Sequence, residues 1–213
     1  LSTNTGMSGI FGMNIKMAIY GESHGKSIGV VLDGLPPGLA LDEAAIAAEM
    51  ARRAPGQNAL STARKESDTV EIQSGFFNGF TTGTPLCARI VNSDQHSKDY
   101  SILADKMRPG HADYAGHVRY QGFNDYRGGG HFSGRLTAPL VFAGAVAKLA
   151  LRNKGVEVLA RISRTGNIED VPVDTARPDV EALRAASRKA FPVVDDARGD
   201  AMQKAILEAR SEG

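Results

Sequence analysis

Three short stretches of the 213-residue chain concentrate groups that could do chemistry: GESHG at 21–25, RPGHAD at 108–113 and RGGGHFSGR at 127–135. Each joins glycines, which let backbone approach a ligand closely, to a histidine and either a serine or an arginine. That set suits phosphate chemistry. Guanidinium forks bind oxyanions through paired hydrogen bonds, and an imidazole near neutrality gives or takes one proton. A fourth stretch, Arg52-Arg53-Ala54-Pro55-Gly56, puts two guanidiniums at a helix C-terminus, where the helix dipole alone would account for them.

GESHGKS has the look of a nucleotide-binding loop, but its spacing is wrong. A P-loop places four residues between its first glycine and Gly-Lys-Ser/Thr, whereas only three separate Gly21 from Gly25. Glu22 would also bring a carboxylate toward phosphate oxygens. Taken singly, each stretch has a structural account as well, and Gly128-Gly-Gly130 reads equally as a flexible turn. His96 and His117 lack such company and read as surface or packing residues, while Asp33, Asp94 and Asp99 read as turn and capping carboxylates. No His/Cys/Asp cluster has zinc spacing, so no metal site is assigned.

The chain is long enough for one domain, or at most two small ones. Its 25 basic and 24 acidic residues leave a formal charge of +1, which gives no global field for nucleic acid or an anionic membrane. Cys87 is the only cysteine, which rules out a disulfide framework and fits a reducing, cytoplasmic setting. Leu136 to Leu151 is apolar but interrupted by Thr137, Pro139 and Lys148, and reads as a buried helix too short to cross a bilayer. Leu1 to Gly6 reads as a remnant before a natural start at Met7, without the layout of a signal peptide.

The elements that must position these groups follow from pattern. Alternation predicts a strand at 14–20, with GESHG directly after it, and a second strand at 27–33. Leu35-Pro-Pro-Gly38 makes a turn, and Asp42 caps a helix over 43–53 that Pro55-Gly56 ends. Strands are expected at 69–73 and 86–91, separated by turns at Asn78-Gly79 and 81–84. From Asn92 to Arg135 periodicity disappears, and the density of Gly, His, Asp, Tyr and Arg marks a functional loop region. A helix at 136–154, a strand at 156–162 and a charged helical tail from about 178 to 212, broken at Phe191-Pro192, complete the expectation.

In order and full wording, GESHGKSIGVVLDGLPPG, RRAPG, TTGTP, RPGHADY and DYRGGGHFSGR resemble chorismate synthase from about Met7 onward. The resemblance implies an α/β (α+β) fold, a mixed sandwich of sheets and helices. It also implies a reduced-FMN-dependent 1,4-elimination of phosphate from 5-enolpyruvylshikimate 3-phosphate, a lyase reaction of aromatic biosynthesis. By the same resemblance His24 stands near the leaving phosphate and His111 near the pyrimidine edge of the flavin. Arg53, Arg108, Arg135 and the neighbouring Arg52 contact phosphate or carboxylate, and Ser23 and Ser133 help relay a proton. His131, Phe132, Ser133 and His111 border the cofactor. A homotetramer is implied, with no nucleic-acid or membrane partner. Flavin reduction falls to an external reductase or to NADPH.

Two positions depart from the family pattern. Ala59 stands where many relatives carry an arginine, leaving Arg64 or Lys65 as replacements, and His131-Phe132 stand where relatives often carry arginine and small residues. Relatives also continue past the position of Gly213, carrying further flavin contacts and an arginine–aspartate motif. The expectation is therefore an incomplete domain over 7–213, inactive by itself. The rival readings are a non-catalytic phosphate- or nucleotide-binding module and a degenerate paralogue that serves in assembly.

Overall fold

The computed structural model describes residues 9–54, 68–92 and 105–212. It contains two compact units, one running through the described residues up to Lys154 and the other from Gly155 onward.

The first unit is built on a five-stranded sheet of β1 (Ile10–Phe11), β2 (Lys16–Gly21), β3 (Ser27–Asp33), β4 (Val70–Ser74) and, after a hairpin of β5 (Phe76–Phe77) and β6 (Phe80–Thr81), β7 (Leu86–Val91). The order is β1-β2-β3-β7-β4, antiparallel throughout. Helices α1 (Glu43–Arg53) and α3 (Thr137–Arg152) pack against each other and onto the sheet, and α2 (Asp113–Arg119) lies between them in sequence.

Alternation selects the face that is buried. Pairing Ile28 with Ile90, Val30 with Ala88 and Leu32 with Leu86 puts all six on one side. All are at most 4% exposed, and they meet Ile46 and Met50 of α1 and Phe142, Val146 and Leu149 of α3. Each large side chain of this kind contributes about 1.5–3 kcal/mol through burial. Asp42 starts α1 by accepting from the Ala45 amide at 3.0 Å, as the sequence leads one to expect. Gly134–Arg152 is long and apolar enough to cross a membrane by length and composition, contrary to the argument from length, but half of that stretch is buried within the protein. It is a core helix, with Phe142, Val146 and Leu149 buried.

The second unit holds a small hairpin, β8 (Arg164–Thr165) and β9 (Ile168–Glu169), and helices α4 (Val180–Ser187) and α5 (Asp196–Glu212). Asp170 ties it together, accepting from the Val194 and Asp195 amides at 2.8 and 3.0 Å and pairing with Arg161 at 2.7 Å.

Two expectations are corrected. The segment 156–162 forms no ladder among the described residues, and Val156 and Val158 remain 47% and 49% exposed. Alternation supplied a strand pattern, but a strand also needs a neighbour to satisfy its backbone. The aperiodic region from Asn92 to Arg135 contains α2, a short helix with no side-chain cap on Ala112. Leu1 to Met7, Pro55, Gly56, Ala59, Arg64, Lys65, Asp94, His96, Asp99 and Gly213 lie outside the described residues.

Candidate active site

GESHG is the connection of the β2–β3 hairpin, so the sheet fixes both of its ends. Ser23 is fully buried and His24 is 6% exposed. The Ser23 amide donates to Gly130 O at 3.1 Å, and its hydroxyl donates to Arg127 O at 3.3 Å. Ser23 Oγ also lies 3.0 Å from His24 Nδ1, and with its own proton on Arg127 O it accepts from the imidazole tautomer that carries a proton on Nδ1. The first and third motifs are thereby joined through backbone.

The triple glycine is the hub. Gly128, Gly129 and Gly130 all have positive φ, of 60°, 91° and 55°, a sequence of conformations that side-chain-bearing residues rarely adopt. Space explains the glycines as well as angle does. A Cβ on Gly128 would stand 2.1 Å from His24 Cε1, and one on Gly129 would stand 2.5 Å from His111 Cε1. Two histidines 87 positions apart therefore rest on consecutive glycines, and the flexible-turn account of this stretch is insufficient.

His111 is fixed from the other side by its own motif. Its Nδ1 is 2.7 Å from Asp113 Oδ1, though off the line of a well-aligned hydrogen bond. Asp113 also accepts from Arg108 through Nε, NH2 and the amide at 2.8, 2.9 and 3.0 Å. The Arg108 guanidinium holds the Asp113 carboxyl well below the usual carboxylate range, against the burial that would raise it. Asp125 is lowered in the same way by Arg127, with a smaller contribution from His24, and accepts from Arg127 NH2 at 2.6 Å.

The remaining predicted residues take varied places. Ser133 starts the turn before α3, its Oγ accepting from the Arg135 amide at 3.3 Å. His131 Nδ1 lies 2.9 Å from Gly21 O, and the Phe132 ring, 37% exposed, sits 6.1 Å from Tyr120 and covers Gly116 of α2. Arg53 and Arg135 both pair with Asp68, whose side chain is fully buried between them. Arg135 is itself only 4% exposed. Arg52 pairs with Glu49 at 3.0 Å on the half-exposed side of α1 and does not join the site.

The sequence model of the family described as chorismate synthase matches residues 15–213. The chain belongs to the chorismate synthase family. It is 45% identical over 202 residues to the chorismate synthase of Sulfurimonas denitrificans, covering 95% of this chain and 54% of the relative. Against the chorismate synthase of Burkholderia multivorans it is 55% identical over 168 residues, covering 78% and 45%. A crystal structure of chorismate synthase superposes with a TM-score of 0.71 at 25% identity, over 94% of this chain and 54% of that one. The chain spans about half the length of the curated relatives it matches.

Within this chorismate synthase framework, sequence reading missed Asp68, Asn92, Asp113 and Asp125. Asp113 and Asp125 stand beside the motif arginines, and the Arg-x₄-Asp and Asp-x-Arg spacings were the signal for them. Asp68 and Asn92 carry no local signal, because Arg53 and Arg135 lie 15 and 67 positions from Asp68, and Glu22 lies 70 from Asn92.

Proposed function

We propose that this chain carries the phosphate-leaving side of a chorismate synthase active site, acting on 5-enolpyruvylshikimate 3-phosphate. The observation that carries the reading is the convergence of His24 and His111 on Gly128 and Gly129, which gathers the three glycine–histidine motifs into one place. An imidazole against bare backbone can approach a phosphorylated ring without intervening side chains. His24, steadied by Ser23, delivers a proton to the departing phosphate oxygen. Such a positioned acid is worth about 10²- to 10⁴-fold in rate.

The residues fit the ring end of a flavin. His111 is held by Asp113, and the half-exposed Phe132 ring offers an aromatic face beside it. When bound there, reduced FMN would supply electron density to the elimination without net change. His111 would orient its pyrimidine edge, and the Phe132 ring would shield it from water. Arg53 presents the more open of the two guanidiniums on Asp68, with 19% of its side chain exposed against 2% for Arg135, and is the better placed to meet an anion. Arg108 acts through Asp113 on His111. Ser133 supports the same relay by shaping the turn that leads into Arg135. Homotetramer assembly, a cytoplasmic setting, and flavin reduction by NADPH or an external reductase extend the proposal on the family resemblance.

Calorimetric titration of the protein with the 3-phosphate substrate and with its dephosphorylated analogue, both in the presence of FMN, tests the reading. The phosphorylated ligand should bind at least tenfold tighter. Equal affinities, or tight binding of ATP with indifference to FMN, would favour a nucleotide-binding module instead.

A further inference from the structure

The GESHG turn is gripped from a direction that none of its own residues supplies. Asn92 follows β7 and is 4% exposed. Its side-chain Nδ2 donates to Glu22 O at 3.0 Å and to Gly25 O at 2.8 Å, and its amide donates to Lys26 O at 3.2 Å. One residue therefore clasps both ends of the turn that carries Ser23 and His24. The orientation of the carboxamide follows from chemistry. Both turn partners are carbonyls, which only accept, and the partner on the other side is Arg135 Nε, which only donates, to Asn92 Oδ1 at 3.2 Å. Arg135 is in turn fixed by the buried Asp68, which also pairs with Arg53.

We propose that Asn92 is a positioning residue for the His24 loop, its amide locked in one orientation by the buried Asp68–Arg135 pair. This rests on the reading of His24 as the group that serves the leaving phosphate. An aspartate in place of Asn92 would be nearly isosteric, yet would set a carboxylate oxygen against two carbonyl oxygens. It would also draw Arg135 away from Asp68. The turn would lose its two clasping bonds and His24 its fixed height over Gly128. Misplacement of a reacting group by about 1 Å costs on the order of 10²-fold in rate. Substrate binding made elsewhere would be spared, so the loss should fall on kcat more than on KM.

The test uses Asn92→Asp, with Asn92→Ala as a second variant lacking the added charge, and reads two quantities. Amide hydrogen exchange at Ser23 and Gly25 should accelerate by roughly tenfold or more in both variants, while Val30 and Ala88 in the central strands keep their wild-type protection. In steady-state turnover of an enzyme of the relatives' full length carrying these residues, kcat should fall about ten- to a hundredfold with KM within threefold. Wild-type exchange at Ser23 and Gly25 in either folded variant would overturn the proposal, as would accelerated exchange with an unchanged kcat. The exchange arm needs no turnover. If the unsubstituted full-length enzyme failed to make chorismate, the functional reading would fall while the clasp would still be judged by exchange.

Discussion

Replacing Gly128 with alanine isolates the contact on which the site is built. At φ of 60° an alanine costs about 1–2 kcal/mol in conformational strain. Its Cβ would also stand 2.1 Å from His24 Cε1 and 2.3 Å from Nδ1. Ordinary carbon contact begins near 3.5 Å, so the ring and the turn must separate by roughly 1.4 Å, the difference between 3.5 and 2.1. In an enzyme of the relatives' full length carrying these residues, a shift of that size predicts a fall in kcat of about a hundredfold. Gly38 supplies the control. Its φ is 78°, but a Cβ there meets nothing within 4 Å. Gly38→Ala should therefore lose about 1–2 kcal/mol of stability in urea unfolding and keep kcat within threefold, whereas Gly128→Ala should lose both. Normal turnover by Gly128→Ala, or an equal loss in Gly38→Ala, would refute the assignment of His24 to the reacting site.

In an enzyme of the relatives' full length carrying these residues, His24→Ala and His111→Ala should each lower kcat by about 10²- to 10⁴-fold with a urea midpoint near that of the unsubstituted protein, since both residues lie in loops outside the core. Near-normal turnover would return that histidine to a packing role. Because the Arg108 guanidinium depresses the Asp113 carboxyl in the folded state, its stabilisation is complete above the unfolded value of about 3.9 and is lost as pH falls through the folded one. Asp113→Asn should flatten the fall in stability below about pH 4, which urea unfolding from pH 5 to 2 would show; an unchanged acid limb would contradict the pairing. Phe142→Ala, at a site 1% exposed in the core, should cost about 3–5 kcal/mol in the same assay, and a loss below 1 would remove Phe142 from the load of the α3–sheet packing.

The elements legible in sequence are those whose cause is local. The β3 pattern, the Asp42 cap and the β7 alternation each contain their own reason, and all three stand where the sequence places them. The segment 156–162 has the alternation of a strand, but pairing is a property of two segments and one pattern could not supply it. Helix α2 escaped notice because Gly116 lies inside it and Ala112 offers no cap; its packing under Phe132 comes from 16 residues further along. In the site, the histidines and glycines announce themselves by type. The meeting of His24 and His111 on adjacent glycines, and the Asp68–Arg135–Asn92 chain, depend on side chains brought together across the fold, which spacing along the sequence does not encode.

The most direct measurement is product formation under nitrogen with reduced FMN and 5-enolpyruvylshikimate 3-phosphate, by an enzyme of the relatives' full length carrying these residues and by this chain alone, following chorismate, inorganic phosphate and flavin absorbance together. That enzyme should form chorismate and phosphate in equal amounts over many turnovers with no net oxidation of the flavin, and the 213-residue chain alone should form neither. Equal turnover with oxidised FMN in air, or phosphate release without chorismate, would contradict the account.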